Sequence, residues 1–320
     1  MPISSPINPE KPVAADTASR LLSALSRLPL GLLYPVAWLT YVLGYHVFRY
    51  QRSVILDNLL AAFPNREKQD IQRIAKRFYR LFCEFAVEAI RTPALTQAEL
   101  ESRVVLVDEH VLQPYIDAQQ PILLVGAHQA NWEWVLLACA SRLPFPIDAL
   151  YKPFGNSKID DFFYRARARF GVTPIPAHQA VSRIIRQKRR MRGITLIADQ
   201  YPERKEERFW ATFFGRETPF APGCEKIARM TGFPVIFTHR KRLARGHYQV
   251  RFSVLAEPPY EKQKNSVLER YVRELERSIL DQPENWLWSY DRWRHGKPLY
   301  SGSISESQAA VVEPDTLGSR

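Results

Sequence analysis

The stretch from Leu28 to Phe48 sets the first limit on the fold of this 320-residue chain, because its 21 residues include no Asp, Glu, Lys or Arg. About 20 apolar residues are enough to cross a bilayer as a helix. A cleaved signal peptide is disfavoured because the apolar run is too long and no small-residue cleavage site follows it. A buried core helix is the alternative, although Pro29 and Pro35 would weaken one. We predict a membrane-anchoring helical segment over residues 20–50, either spanning the bilayer or lying in its interface.

The cysteines indicate where the body of the chain lies. Three cysteines are present, far apart and outside any metal-ligand spacing, so the sequence predicts neither a disulfide framework nor a zinc site. Free thiols are typical of a reducing compartment. Basic residues flank the apolar stretch on both sides and leave its orientation open. The thiols therefore favour a body that faces the cytosol.

An excess of basic residues predicts anionic partners. Lys and Arg number 45 against 33 Asp and Glu, a net charge of +12, which favours anionic membranes, phosphorylated lipids, an acidic carrier protein or nucleic acid. The densest run, Ser182–Arg192, holds six basic residues, and Arg240–Arg242 is a similar patch. A solvated surface is the ordinary interpretation of such runs, followed by docking to membrane phosphates or to a carrier protein. No aromatic residues interleave with the cations of the densest run, so we expect no nucleic-acid partner.

Short β-rich runs alternate with helical patterns through the body of the chain. A helix is predicted over Glu67–Arg91, stopped by Pro93. The predicted strands are Val104–Val107, Ile122–Gly126, Asp148–Tyr151, Ile194–Ala198, Val235–His239 and Tyr248–Val254. The other predicted helices are Asn131–Ser141, Lys158–Phe170, Ala180–Arg190, Pro222–Thr231 and Ser266–Leu280. This alternation predicts an α/β fold with a largely parallel or mixed sheet flanked by helices. We expect a single domain over residues 51–300, between a disordered leader at 1–19 and a disordered tail at 301–320.

The second predicted strand continues into Gly126-Ala-His128-Gln-Ala-Asn-Trp-Glu133. In α/β proteins, residues beyond the carboxyl end of a strand face the crevice where ligands bind. A histidine there can take the proton of an attacking hydroxyl, and it needs a carboxylate to hold its tautomer. Glu133 can supply that carboxylate across a strand-to-helix turn, whereas on a continuous helix the two side chains would point about 140° apart. The simpler alternative is a strand-end histidine bonded to backbone, beside a glutamate that favours the helix dipole.

The segment GAHQANWE resembles the His-x4-Asp/Glu box of glycerolipid acyltransferases, in the Asn-Trp-Glu form of the late lipid A acyltransferases (the lauroyl and myristoyl transferases). Other segments resemble that family in the same order along the chain; they are Arg52–Pro64, Tyr151–Pro153, Arg165–Gly171, Ala198–Gln200, Phe213–Gly215 and Thr231–Val235. Two stretches differ from the family pattern, Asp199–Glu203 and Trp286–His295. We expect both to lie where the acceptor binds.

The resemblance implies a glycerolipid-acyltransferase-like domain and a set of site residues. The implied catalytic residues are His128 as base and Glu133 as its partner, and the implied substrate-binding residues are Asn131, Arg165, Arg167, Asp199 and Gln200. Of these, Arg167 would hold a phosphate or an oxyanion, because a guanidinium stays charged and donates in a fork.

The same resemblance implies an enzyme that transfers a fatty acyl chain from an acyl thioester, carried by acyl carrier protein, to a hydroxyl of a lipid A precursor. The acceptor would be an anionic lipid, the enzyme would sit in the cell inner membrane with its catalytic domain facing the cytoplasm, and no metal or other cofactor would be needed. Two alternatives stay open. One is an acyltransferase that acts on another membrane lipid, such as a lysophospholipid, an aminolipid or a glycolipid. The other is a non-catalytic membrane protein that binds anionic lipid.

Overall fold

The computed structural model describes residues 17–153, 155–202, 207–261 and 265–293. Its helices are α1 (Thr17–Ser26), α2 (Leu30–Tyr41), α3 (Arg52–Ala62), α4 (Lys68–Arg91), α5 (Gln97–Arg103), α6 (Gln113–Asp117), α7 (Trp132–Arg142), α8 (Ser157–Arg169), α9 (Ala180–Arg186), α10 (Gly223–Thr231) and α11 (Ser266–Asp281). Its strands are β1 (Val104–Val107), β2 (Ile122–Gly126), β3 (Ile147–Tyr151), β4 (Val172–Pro176), β5 (Gly193–Ile197), β6 (Phe209–Phe213), β7 (Arg216–Phe220), β8 (Val235–Ala244) and β9 (His247–Ala256). The predicted tail and most of the predicted leader lie outside the described residues.

Seven strands form one mixed sheet in the order β1-β9-β8-β2-β5-β3-β4. Every neighbouring pair is parallel except β8 and β9, which are antiparallel. All five residues of β2, the central strand, are buried, as expected for a parallel strand covered on both faces. The predicted mixed α/β fold is therefore confirmed.

Helices cover both faces of the sheet. Successive residues of a strand point to opposite faces, so neighbouring residues contact different helices. On β8, His239 lies beside side chains of α11, whereas Arg240 lies near Cys139 of α7. The α11 helix buries one apolar stripe, which includes Leu268, Tyr271 and Leu275 at helical spacing. The carboxyl end of β2 therefore lies between the helices that cover the two faces of the sheet.

The apolar N-terminal segment lies along the body of the protein. Three residues of α2, Leu30, Leu33 and Ala37, are buried at helical spacing, and the helix packs against α4. It continues through a π-helical turn at Val42–Val47. By length and composition, the 18 residues from Leu30 to Val47 are sufficient to cross a membrane. The large apolar side chains that this segment leaves exposed are Leu32, Val36, Trp38, Leu39, Leu43, Val47 and Phe48.

Three strands were not predicted from the sequence. The edge strand β4 contains Pro174 and Pro176, which lack the N–H groups that a central strand must donate. Strands β6 and β7 form a separate hairpin whose turn residues, Phe214 and Gly215, both have positive φ (51° and 69°). The other predicted strands and helices are present, and α9 ends at Arg186 rather than Arg190.

Candidate active site

The turn after β2 carries the residues singled out by the sequence motif. β2 ends at Gly126, and Ala130 adopts a left-handed conformation (φ 53°) that turns the chain into α7. Asn131 is the N-cap of α7, and its Oδ1 accepts a hydrogen bond of 2.9 Å from the backbone N–H of Trp134. The predicted strand–turn–helix arrangement around His128 is therefore present.

The backbone of this turn is held by the segment that follows α11. Ala130 donates its N–H to the carbonyl of Asn285 at 3.0 Å, and Leu287 donates its N–H to the carbonyl of His128 at 3.1 Å. These two bonds fix the turn on both sides of Gln129, so the position of His128 depends on a segment more than 150 residues away in sequence.

The imidazole of His128 contacts the carboxylate of Asp199, which follows β5. Nδ1 of His128 lies 2.7 Å from Oδ1 of Asp199, and the backbone N–H of His128 donates to Oδ2 at 2.9 Å. Burial raises the pKa of Asp199, but the contacts with His128 and a hydrogen bond from the indole of Trp286 outweigh burial and hold the pKa below its usual value. An ionised carboxylate only accepts hydrogen bonds, so the proton of the neutral imidazole lies on Nδ1.

That tautomer leaves Nε2 of His128 as a hydrogen-bond acceptor. The His128 side chain is 19 % exposed, whereas Asp199 is 2 % exposed, and Nε2 has no hydrogen-bond partner among the described residues. A base held from one side by a buried carboxylate and open on the other is the arrangement that general-base catalysis requires.

The carboxylate of Glu133 pairs with Arg167 of α8. Nε of Arg167 donates to Oε2 of Glu133 at 2.9 Å, and Nη2 donates to Oε1 at 2.6 Å. Burial lowers the pKa of Arg167, but the charge of Glu133 outweighs this and holds the pKa above its usual value. The expected contact between His128 and Glu133 is thus replaced by two separate pairs. Glu133 lies in the first turn of α7, where its carboxylate contacts α8. Asp199 follows β5, the strand next to β2, and its carboxylate contacts the imidazole.

A second buried carboxylate, that of Glu88 in α4, holds the turn through a hydrogen bond to Asn131. It accepts hydrogen bonds from Nδ2 of Asn131 at 2.8 Å, from the hydroxyl of Tyr248 at 2.5 Å and from the hydroxyl of Tyr34 at 2.9 Å. Burial raises the pKa of Glu88, although these hydrogen bonds oppose the rise. Because Tyr34 belongs to α2 and Asn131 caps α7, Glu88 connects the apolar N-terminal helix to the turn that holds His128.

Arg240 is a site residue that sequence reasoning missed. Its patch was interpreted as solvated surface, yet Arg240 is buried and donates a hydrogen bond to the carbonyl of Ala127, directly before His128. Gly126 leaves room for it, because a Cβ at this position would meet Nη2 of Arg240 and Oγ1 of Thr238, each at 2.5 Å, and these side chains would have to shift. Burial lowers the pKa of Arg240, but a guanidinium stays charged in proteins, so it places a positive charge under the turn. The sequence offered one signal, the glycine at the end of β2.

Two predicted site residues lie on the surface. Arg165 is exposed and pairs with Asp161, one turn earlier in α8, at 3.0 Å. Gln200 is exposed beside the buried Asp199. The structure therefore brings His128 together with Asp199, and Glu133 with Arg167, and leaves Arg165 outside both pairs.

The C-terminal segment that departs from the family pattern also has a structural explanation. Trp286 and Trp288 are both buried, and Nδ2 of Asn58 donates to the carbonyls of Trp288 and Tyr290, both at 2.8 Å. The described part of Trp286–His295 thus packs behind the turn. That the acceptor binds where this segment lies stays a prediction.

The fold and the site together define an α/β protein with a histidine–carboxylate pair beyond the central strand of a mixed sheet. Comparison with family sequence profiles then matches residues 24–295 to the bacterial lipid A biosynthesis acyltransferases. This match covers most of the chain, and the protein belongs to that family. It is accordingly an enzyme of the acyltransferase class. No curated protein matches the chain in a sequence search.

Proposed function

We propose that this enzyme transfers a fatty acyl chain from acyl carrier protein to a hydroxyl group of a lipid A precursor. The observation that carries the proposal is the contact between His128 and Asp199 at the end of β2, in a chain of a lipid A acyltransferase family. The pair supplies a base with an accessible ring nitrogen, and the family supplies the class of acceptor.

In the proposed reaction, Asp199 holds Nδ1–H and Nε2 of His128 removes the proton of the acceptor hydroxyl. The hydroxyl oxygen attacks the carbonyl carbon of the thioester and forms a tetrahedral intermediate. This intermediate collapses as the carbon–sulfur bond breaks, and the departing thiolate takes the proton from the imidazolium. An ester and a free thiol result, and His128 returns to its neutral form.

The pair formed by Glu133 and Arg167 has a supporting part in this proposal. Both side chains are less than 10 % exposed, and the two hydrogen bonds fasten the first turn of α7 to α8. Since α7 begins three residues after Gln129, the pair fixes the helix that faces the imidazole. We propose that Glu133 and Arg167 position His128 and shape the local field, while Asp199 acts on the ring directly.

A row of aromatic rings leads from α4 to the imidazole and suits an acyl chain. Phe82 stacks on Phe85 at 6.1 Å between ring centroids, Phe85 lies 4.0 Å from Trp132, and Trp132 lies 5.1 Å from the ring of His128. Phe82, Phe85 and Trp132 have aromatic side chains with large apolar surfaces. A narrow cleft runs beside these three residues. We propose that the thioester end of the acyl chain lies along this row.

The uncovered apolar face of α2 supports action at a membrane. Trp38 of α2 is 56 % exposed, Phe48 directly after the π-helical turn is 72 % exposed, and Arg27, Arg49 and Arg52 flank the segment. Apolar side chains beside cations are typical of helices that bind anionic lipid surfaces. The three cysteines are free and buried, which agrees with a reducing compartment. We therefore propose the cytoplasmic face of the inner membrane as the place of reaction.

The test uses the full-length chain in mild detergent with an acyl carrier protein thioester and, in separate reactions, a lipid A precursor or a lysophospholipid. We expect transfer to the lipid A precursor by the wild type, loss of transfer in His128→Ala, and retention in His178→Ala, which removes an exposed histidine. Transfer to the lysophospholipid alone would keep the chemistry and reject the proposed acceptor. Full activity in His128→Ala would reject the proposed site.

A further inference from the structure

An open cavity of about 410 Å³ lies between the β8–β9 hairpin and α11. Its volume falls in the range of small-ligand sites. Its polar lining residues are His239, Arg251, Ser253, Arg270, Arg273 and Arg277. Glu274 also lines it, and its carboxylate pairs with Arg277 at 2.5 Å. We call this the α11 cavity.

The α11 cavity carries an excess of positive charge. Arg251 and Arg273 form no ion pair with any residue in the part of the chain that the structure describes, and Arg270 donates to the backbone carbonyl of Leu255 at 3.1 Å. Among the described residues, Arg277 is the one of these four arginines whose guanidinium pairs with a carboxylate. Like charges held around a concave surface favour an anionic ligand.

The neutral groups of the cavity add hydrogen-bonding capacity without charge. Burial, together with the positive charge of Arg251, lowers the pKa of His239 to about 4, so this imidazole is neutral at pH 7. Its Nε2 lies 2.7 Å from the hydroxyl oxygen of Ser253. Guanidinium forks next to a hydroxyl and an imidazole match a group with several acceptor oxygens and a negative charge, and phosphate is such a group.

The cavity is close in the fold to the candidate catalytic turn. Ser278 follows Arg277 in α11 and donates to the side chain of Gln129 at 2.8 Å, next to His128. The arginine that the resemblance assigned to a phosphate or an oxyanion, Arg167, is buried against a carboxylate. The anionic acceptor therefore needs another cationic site, and the α11 cavity is adjacent to the helix end that contacts the turn.

We propose that the α11 cavity binds a phosphate group of the acceptor lipid. The assignment to the acceptor rests on the proposed function, whereas the phosphate chemistry rests on the arginines of the cavity. A concave site suits a compact phosphate better than the broad acidic surface of a carrier protein.

The test measures binding in the absence of any acyl donor. The full-length chain in nonionic detergent is titrated calorimetrically with phosphatidic acid in mixed micelles, with glucosamine 6-phosphate and with glucosamine. The cavity variant is Arg251→Gln/Arg273→Gln. The control variant is Arg183→Gln/Arg186→Gln, which removes two exposed charges from α9.

We expect saturable binding of both phosphorylated probes and none of glucosamine. Losing a charged hydrogen bond weakens binding by about tenfold or more, so the cavity variant should bind about 100-fold more weakly and the control variant as wild type. Phosphate next to His239 should also raise its pKa, measured by NMR titration of the imidazole. Equal binding by wild type and the cavity variant, or an equal loss in the control variant, would overturn the proposal. Binding of glucosamine 6-phosphate without phosphatidic acid would overturn the assignment to a lipid.

Failure of this proposal and failure of the proposed function have different signatures. A chain that binds phosphate through Arg251 and Arg273 but transfers no acyl group refutes the function and keeps the cavity. An active transferase whose KM for the phosphorylated acceptor is unchanged in the cavity variant refutes the cavity and keeps the function.

Discussion

The buried pair of Glu133 and Arg167 leads to a quantitative prediction about stability. Glu133→Gln keeps the size of the side chain but removes its charge, and leaves a guanidinium that is 9 % exposed without a charged partner. Removing one member of a buried pair costs about 3–5 kcal/mol, because the other charge stays buried. The two short hydrogen bonds place this pair among the well-formed ones. We expect Glu133→Gln and Arg167→Gln each to lower the free energy of unfolding by about 3–5 kcal/mol.

The double variant Glu133→Leu/Arg167→Met removes both charges and keeps side chains of similar size. Apolar residues of similar size in place of a buried ion pair are often neutral or stabilising, so the double variant should recover most of the stability that each single variant loses. Thermal unfolding at a fixed scan rate in one detergent gives the comparison. At about 2–4 °C per kcal/mol, each single variant should unfold about 6–20 °C below wild type.

Additive losses would refute this reasoning. A double variant less stable than either single variant would mean that Glu133 and Arg167 contribute independently. Single variants that unfold within about 1 kcal/mol of wild type would mean that the pair is solvated, as exposed ion pairs are. Activity is compared per folded molecule, so that a loss of stability is not mistaken for a loss of chemistry.

Three further predictions follow from the same contacts. Asp199→Asn should lower kcat by about 10²–10⁴-fold, because an amide no longer fixes the tautomer of the imidazole; a smaller loss than that of a Glu133→Gln enzyme would contradict the assignment. Burial raises the pKa of Glu88 above 4.5, so the folded state holds a proton that the unfolded state releases, and the free energy of unfolding should fall as pH rises from about 4.5 through the raised pKa. Glu88→Gln should flatten that dependence in urea titrations at several pH values, and an unchanged slope would show that Glu88 ionises normally. Gly126→Ala should cost about 1–3 kcal/mol by overpacking against two side chains, whereas Gly31→Ala, which meets nothing within 4 Å, should not destabilise the protein, and equal effects would contradict the close packing.

The local structure around His128 was predictable because it depends on neighbours in sequence. The continuous apolar run of β2 predicted a strand, and the helical pattern from Asn131 onward predicted the helix that follows the turn. The amphipathic pattern of α4 likewise predicted a helix within one residue of its observed start at Lys68.

The partner of His128 was not predictable in the same way. Glu133 is the nearest carboxylate in sequence, but Asp199 is the nearest in space because β5 lies directly beside β2 in the sheet. The order of strands follows from packing of the whole domain, which no local pattern specifies.

Buried charges are the other part that sequence could not provide. Glu88 and Arg240 are buried, although charged residues are mostly exposed. Other charged residues of α4, such as Arg77 and Arg80, are exposed, so charge alone did not single out Glu88, and Arg240 belongs to a basic run that is typical of surface. Their contacts with Asn131 and with Ala127 become visible only once distant segments are packed together.

We propose that this chain acylates a lipid A precursor through His128. The most direct test is mass spectrometry of lipid A from cells lacking the gene and from the same cells carrying the wild type or the His128→Ala variant, both confirmed to be folded and membrane-bound. We expect loss of one acyl chain from lipid A, restored by the wild type and not by the variant. Unchanged lipid A in the cells lacking the gene, or full restoration by His128→Ala, would contradict it.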